Sequence, residues 1–381
     1  MKILITTDLF TTKTNGVVTS VMNLRDELIE KGHEVKILTL SEKMRSRREG
    51  DVYYIRSLPF GVYPNVRVPT SFRHKLIAEL IEWSPDVIHS QCEFFSFQYA
   101  IRISKRTGAP IVHTYHTLYE QYVAYLIPGK RLGNTVVRMF SRRRLKKVDR
   151  VIAPTHKVED ALHSYGVDKI IDVVPSGIAL DQHQQRITEE KREQKREQLG
   201  ITKDKTVLVN LGRLGTEKNI GELLQLFARA AEMNDSLVFL IVGDGPAREE
   251  LQETAEKLGV GKKVIFTGMV DPSEVQDYYQ LGDLFVSAST SETQGLTYVE
   301  AAANGLPLLC RKDRCLEDVI KQGENGYEYT SAEEFLEDIA NIAADPEWRR
   351  IAGKRSEEIA SSFDKSAFGE AIEKVYESVV K

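Results

Sequence analysis

Apolar residues in this chain come in short, nearly continuous runs separated by stretches of helical periodicity, and the alternation recurs along its length. In the first half the runs are 2–6, Glu34–Leu40, Asp86–Ser90, Pro110–Thr114 and Asp149–Ala153, with a helical pattern at about 17–31 after the first. In the second half they are Thr206–Leu211, Leu237–Val242, Lys263–Thr267, Asp283–Ala288 and Leu306–Cys310. A strand that is apolar along its whole length is buried on both faces, and helices between such strands cover a parallel sheet from both sides. Two series in succession predict two doubly wound α/β domains, 1–176 and 177–361, with a terminal helix at about 362–381 free to pack back on the first. The 381 residues suit two domains of ordinary size. Between them Asp181–Gln198 is almost free of apolar residues and reads as a solvated linker or exposed helix. No run reaches 18 apolar residues, and Met1–Thr6 reads as a first strand rather than a leader. Membrane contact is therefore expected to be peripheral.

Charge sharpens the division. Residues 1–175 hold 27 Lys and Arg against 18 Asp and Glu, a net charge of +9, which leaves −13 for residues 176–381. One basic half suggests a domain that meets an anionic surface. Three cysteines, Cys92, Cys310 and Cys315, are too few for a disulfide scaffold, and no histidine joins the latter two at zinc spacing, so a reducing cytoplasm is expected.

Open parallel sheets bind ligands beyond the carboxyl ends of their strands, so the residues after each strand are the candidates, with a cleft between the domains as the expected site. After the first strand, Asp8–Val18 enters a helix at Gly16, where backbone amides could approach a phosphate. It lacks the G-x-G-x-x-G spacing of a dinucleotide site. His113 and His116 lie at the end of the run 110–114; they raise a metal pair, but no third ligand is evident. In the second half, Asn210–Asn219 follows a strand and places Arg213, a planar fork, near Lys218, a point charge, together suited to a diphosphate. Gly243-Asp244-Gly245 and Gly268-Met269 end the next two strands. The most informative segment is Ser291–Glu300, which sets Glu292 and Glu300 eight residues apart around Gly295, where a helix opens. Unpaired N–H groups at that helix start favour an anion. Eight helical residues rise by roughly 12 Å, too far for the two acids to share a proton.

The Glu-x7-Glu spacing, with Arg213, Lys218 and His116 in the same order along the chain, resembles the family 4 retaining glycosyltransferases. That resemblance implies the GT-B fold, two Rossmann-like domains, and a nucleotide sugar as donor. It further implies that Glu292 faces the donor hexose and Glu300 the ribose, and that His116 contacts the hexose. Gly16 and the segment Gln294, Gly295, Leu296 and Thr297 would pack on the diphosphate, and the backbone at Met269 would read the base. Within the family, His113–Tyr122 and Ser289–Thr297 look like the Gram-positive 1,2-diacylglycerol 3-glucosyltransferases, which implies UDP-glucose as donor, diacylglycerol as acceptor and an α-linked glycolipid as product. No metal or other cofactor is expected.

A membrane acceptor also fits Lys130–Arg150. Nine cations, among them Arg138, Arg142, Arg143, Arg144, Lys146 and Lys147, are interleaved there with Leu132, Val136, Val137, Met139, Phe140 and Leu145. A basic amphipathic helix of this kind lies in an anionic interface, each cation contributing about 1 kcal/mol. Phe72–Ile77 offers a second contact. No aromatic platform interrupts the basic run, which argues against nucleic acid. Three readings stand: a lipid glycosyltransferase on the inner face of the cell membrane, a soluble transferase acting on a sugar, polyol or protein, and a non-catalytic sensor of nucleotide sugars. The sequence sets no oligomeric state.

Overall fold

A computed structural model describes residues 1–10, 15–59, 67–120 and 130–380, and the chain divides into two compact units. Met1–Ile178 together with Lys365–Lys381 form the first, and Ala179–Asp364 the second. Residues 11–14 of the first loop, and Gln121 and Tyr122, lie outside the described residues, as do the side chains of Lys130, Arg131 and Leu132.

The first unit is built on a nine-stranded sheet whose main path runs Arg47–Glu49, Val52–Pro59, Glu34–Ser41, Lys2–Thr6, Val87–Ser90, Ile111–Thr114, Arg150–Ala153, Ile171–Val173. All pairings are parallel except those of Arg47–Glu49 and Arg67–Pro69 with Val52–Pro59. Side chains alternate across a strand. Ile3 and Ile5 therefore face a core shared with Val21, Leu24, Phe368, Ile372 and Tyr376, while Leu4 joins Phe97, Tyr99, Tyr115 and Leu145 on the other side. The helix Lys365–Glu377 is tied in by His89, whose ring nitrogens lie 2.7 Å from Tyr376 Oη and 2.7 Å from Thr114 Oγ1.

The second unit has six parallel strands in the order Val264–Gly268, Leu237–Val242, Thr206–Leu211, Leu284–Ser287, Leu308–Arg311, Gly326–Tyr329. Phe227, Phe239 and Phe335 fill its core, each such side chain contributing about 1.5–3 kcal/mol of burial. Of the two forms expected for the polar segment, solvated linker or exposed helix, the structure shows a helix, Glu189–Gln198, with only Arg196 buried. Lys191 and Lys195 reach Asp277 at 2.8 and 2.9 Å, and Arg192 and Arg196 reach Asp283 at 3.0 and 2.9 Å. Its cations dock it where apolar residues are absent.

In both sheets the strand order reverses once, between Lys2–Thr6 and Val87–Ser90 in the first unit and between Thr206–Leu211 and Leu284–Ser287 in the second. At such a reversal neighbouring loops part, and a ligand can sit beyond the strand ends.

Candidate functional site

In the second unit the two loops flanking the reversal are Gly212–Asn219 and Ala288–Gly295, and they meet through side chains. Lys218 Nζ lies 2.5 Å from Glu292 Oε1, the same oxygen that accepts from Ser289 Oγ at 2.9 Å. Ser291 Oγ donates to the Glu217 carbonyl at 3.0 Å. Arg213 is ion-paired with Glu217, one turn on. Both cations expected to meet a diphosphate are thus held by largely buried carboxylates, while the cations themselves, Arg213 more than Lys218, remain open to solvent.

Gly295 sits at φ +75°, in the left-handed region, and among the described residues no side-chain hydrogen bond caps the helix Leu296–Ala303. A Cβ at that glycine would fall 2.4 Å from the Tyr298 ring, so both conformation and space require glycine. The chain therefore turns sharply from Glu292 into a helix start with orphan N–H donors at Leu296 and Thr297, while Gln294 is buried beside them. Because helix begins only at Leu296, the rise of 12 Å estimated for eight helical residues does not describe Glu292 and Glu300: the first lies in the loop. Glu300 turns elsewhere and accepts from Tyr279 Oη at 2.8 Å. Gly243 approaches so closely that a Cβ there would meet the Gly212 carbonyl oxygen at 2.0 Å. Its N–H donates to the Gly268 carbonyl at 3.1 Å, which leaves the adjoining Met269 exposed.

The first unit gathers a different set at its own reversal. His116 Nε2 lies 2.6 Å from Gln91 Oε1. His113 is fully buried, edge-on to Phe97, with Nε2 3.3 Å from Glu93 Oε1, and Tyr119 Oη donates to the other Glu93 oxygen at 2.5 Å. The strand stops at Thr114, so the two histidines part: His113 enters the core and His116 turns to Gln91, and they form no metal pair. Burial first, then His113, lowers His116 to about 3, which keeps its ring neutral at ordinary pH. Asp8 accepts the Ser96 N–H at 2.6 Å, yet burial pushes its carboxyl up to about 6. The Gln91 amide nitrogen and His113 Nδ1 are buried without a hydrogen-bond partner among the described residues, an arrangement that favours a role at a site over a purely structural one. Gly16 begins the helix Gly16–Glu30, where Asn15 Oδ1 accepts the Val18 N–H at 2.9 Å and leaves the preceding donors available.

The sequence named Arg213, Lys218, Glu292, Glu300 and His116 as candidates, and the structure adds their partners or neighbours Glu217, Ser289, Tyr279, Gln91 and Glu93. Only Glu217 carried a signal, its spacing of four from Arg213.

The basic helix is Lys130–Leu145 and does not continue to Arg150. Asp149 takes the Ile111 N–H at 2.8 Å and draws the chain into the sheet, and Arg150 forks onto Asp172 at 2.9 and 2.8 Å. Val137 and Leu145 are buried, so that part of the apolar stripe faces inward. Arg144 follows them, lying over the Phe97 and Phe140 rings at 5.7 and 5.0 Å, which removes it from the outward set. Arg138, Arg142, Arg143, Lys146 and Lys147 remain exposed, together with Val136 and Met139, the last 65% exposed. In the proposed second contact Leu76 and Ile77 are buried and Phe72 packs on Tyr99 at 5.1 Å, leaving Arg73 and Lys75 outward. No helix among the described residues is long and apolar enough to cross a membrane.

The family model described as Glycosyltransferase Family 4 matches residues 14–182, and that of Glycosyl transferases group 1 matches 191–359. The chain is 37% identical over 322 residues to the alpha-monoglucosyldiacylglycerol synthase of Streptococcus pneumoniae, spanning 84% of this chain and 73% of that one. It is 30% identical over 376 residues to the enzyme of the same name from Acholeplasma laidlawii, spanning 95% and 93%. Among solved structures, Anabaena HepE in complex with UDP superposes with a TM-score of 0.76 at 18% identity, covering 99% of this chain and 100% of that one. Sucrose-phosphate synthase from Thermosynechococcus elongatus gives 0.78 at 20%, covering 99% and 98%. These structures bear on the fold alone, which is GT-B.

Proposed function

The chain belongs to glycosyltransferase family 4, and we propose that within it the protein moves glucose from UDP-glucose to diacylglycerol at an anionic membrane surface, with retention of the anomeric configuration. The observation that carries the donor assignment is the meeting of Lys218 and Glu292 beside the uncapped start of Leu296–Ala303. The names of the two synthases support the acceptor and the sugar.

On this reading the diphosphate takes over the cations now held by carboxylates. Arg213 and Lys218 turn to its oxygens, with the N–H groups of Leu296 and Thr297 and the backbone at Gly16 as further donors. These groups stabilise the charge that grows on the diphosphate as the glycosidic bond breaks, so the catalysis is electrostatic. Glu292, released by Lys218 and steadied by Ser289, orients the hexose hydroxyls. Glu300, aligned by Tyr279, binds the ribose, and the backbone at Met269 borders the base. His116, neutral and aligned by Gln91, hydrogen-bonds the hexose without adding charge. Neither acid acts as a covalent nucleophile, and no step requires a divalent ion.

The test is turnover of UDP-glucose in excess chelator, with diacylglycerol in vesicles containing or lacking anionic lipid, and NMR of the product. The reading expects an α-linked glucolipid and strong dependence on anionic lipid. A β-linked product would overturn retention, and transfer to soluble acceptors alone would favour the second class of transferase.

A further inference from the structure

A cavity of about 620 Å³ opens in the first unit, away from the donor loops and His116, and its His74, Lys75 and Leu76 belong to the second contact expected at Phe72–Ile77. Six of its lining residues are basic: Arg45, Arg47, Arg48, Arg56, His74 and Lys75. Glu79 is the only acid among them. Five of the basic residues are permanent cations, and with Arg47 paired to Glu49 the other four, Arg45, Arg48, Arg56 and Lys75, repel one another and raise the local potential, a cost that an anion in the cavity would offset.

The surroundings fix much of this set. Arg47 lies 3.7 Å over the Tyr54 ring, donates to Ser41 Oγ at 2.9 Å and is ion-paired with Glu49 at 2.5 Å, while Arg48 lies 4.9 Å over Tyr53 and donates to the Gly50 carbonyl at 2.8 Å. Ser46 Oγ accepts the Arg56 N–H at 2.8 Å, pinning the loop that carries Arg45 to the sheet edge. His74 caps the helix Lys75–Trp83, and its Nδ1 accepts the Leu76 N–H at 3.1 Å. In the neutral ring the hydrogen is therefore on Nε2, which remains a donor. Arg45, Arg56 and Lys75 are exposed and form no ion pair among the described residues. Forked and point cations beside a helix start suit a tetrahedral oxyanion. The rings of Tyr53 and Tyr54 are covered by arginines and offer no platform for a base, which disfavours a nucleic acid.

We propose that this cavity binds a phosphate ester, carried either by the headgroup of an anionic lipid or by a soluble polyol phosphate. The proposal does not rest on the transferase reading, because it concerns neither the donor loops nor His116.

The experiment compares wild-type protein with Arg45→Gln/Arg56→Gln/Lys75→Gln and with a charge-matched control, Lys105→Gln/Arg106→Gln/Lys169→Gln, from the same unit. Each is titrated by calorimetry with glycerol phosphate and by co-sedimentation with vesicles of phosphatidylglycerol in phosphatidylcholine, and with phosphatidylcholine alone. The cavity variant should lose about 10²-fold in affinity for at least one phosphate probe, about fivefold per cation, while the control changes little. Loss with vesicles alone identifies the lipid as the source, and loss with glycerol phosphate identifies a soluble ester. Equal losses in both variants would mean that the surface reads net charge only, and unchanged binding in the cavity variant would also overturn the site. Thermal melting checks folding; should the triple variant melt early, Arg56→Gln alone carries the test with an expected loss of about fivefold. Glucose transfer is measured separately, so failure of the transferase reading leaves this result interpretable.

Discussion

The two strand-order reversals solve opposite electrostatic problems. In the second unit, Arg213, Lys218, Glu217 and Glu292 form two ion pairs in which the cations are the more exposed partners. In the first, Gln91, Glu93, His113 and Tyr119 form a largely buried network around a neutral His116, with Asp8 raised towards neutrality nearby. The same topological position can thus carry mobile charge or hold charge back. On the proposed reading, the charged set would exchange anions and the buried set would keep stray protons out.

The largest expected effect breaks the charged side. Arg213→Ala removes a forked cation where negative charge develops and should lower kcat by about 10²-fold or more, as loss of one oxyanion donor does. A near-normal rate would end the assignment. On the buried side, Asp8→Asn removes an acid whose folded-state value near 6 lies above its ordinary 3.8. The unfolded chain gives up this proton first as pH rises, so the wild type loses stability between about pH 3.8 and 6 and carries the full deficit above that. The variant should be more stable above pH 6 by about 3 kcal/mol and little different below pH 4, which melting curves across that range would read. His116→Ala should reduce kcat by about tenfold, one hydrogen bond's worth, with little change in UDP affinity. Its value near 3 means that wild-type activity carries no ionisation of this ring between pH 5 and 8. The smallest effect sharpens the contrast. Glu217→Gln removes the carboxylate that competes for Arg213, so UDP should bind up to about fivefold more tightly by calorimetry. Weaker binding would instead make Glu217 the residue that aims the fork.

Much of the second unit was legible in its sequence, since Thr206–Leu211 and Leu237–Val242 are strands to the residue and unbroken apolar runs leave little choice. Three edge strands were not, and neither was Val52–Pro59 inside the first sheet. Arg47–Glu49 is wholly charged, and Ile171–Val173 and Gly326–Tyr329 are too short to show a period. At the donor site, Glu292 and Gly295 could be read because a local turn imposes their spacing. Ser289 and Tyr279 could not, because their partners are chosen by the packing of separate elements. The same limit applies to Lys130–Arg150: periodicity identified a basic helix, but only the position of Phe97 and Phe140 decides which way Arg144 faces.

The helix Lys365–Glu377 gives the chain a particular biosynthetic order. It lends Phe368, Ile372, Val375 and Tyr376 to the core of the first unit, yet emerges only after the whole second unit has been translated. At 5–20 residues per second the nascent first unit waits about 10–40 s with that apolar face uncovered. Ribosome-associated chaperones are therefore expected to meet this protein along the surface of Val21, Leu24 and Leu28, and slowing translation of the second unit should lengthen that encounter.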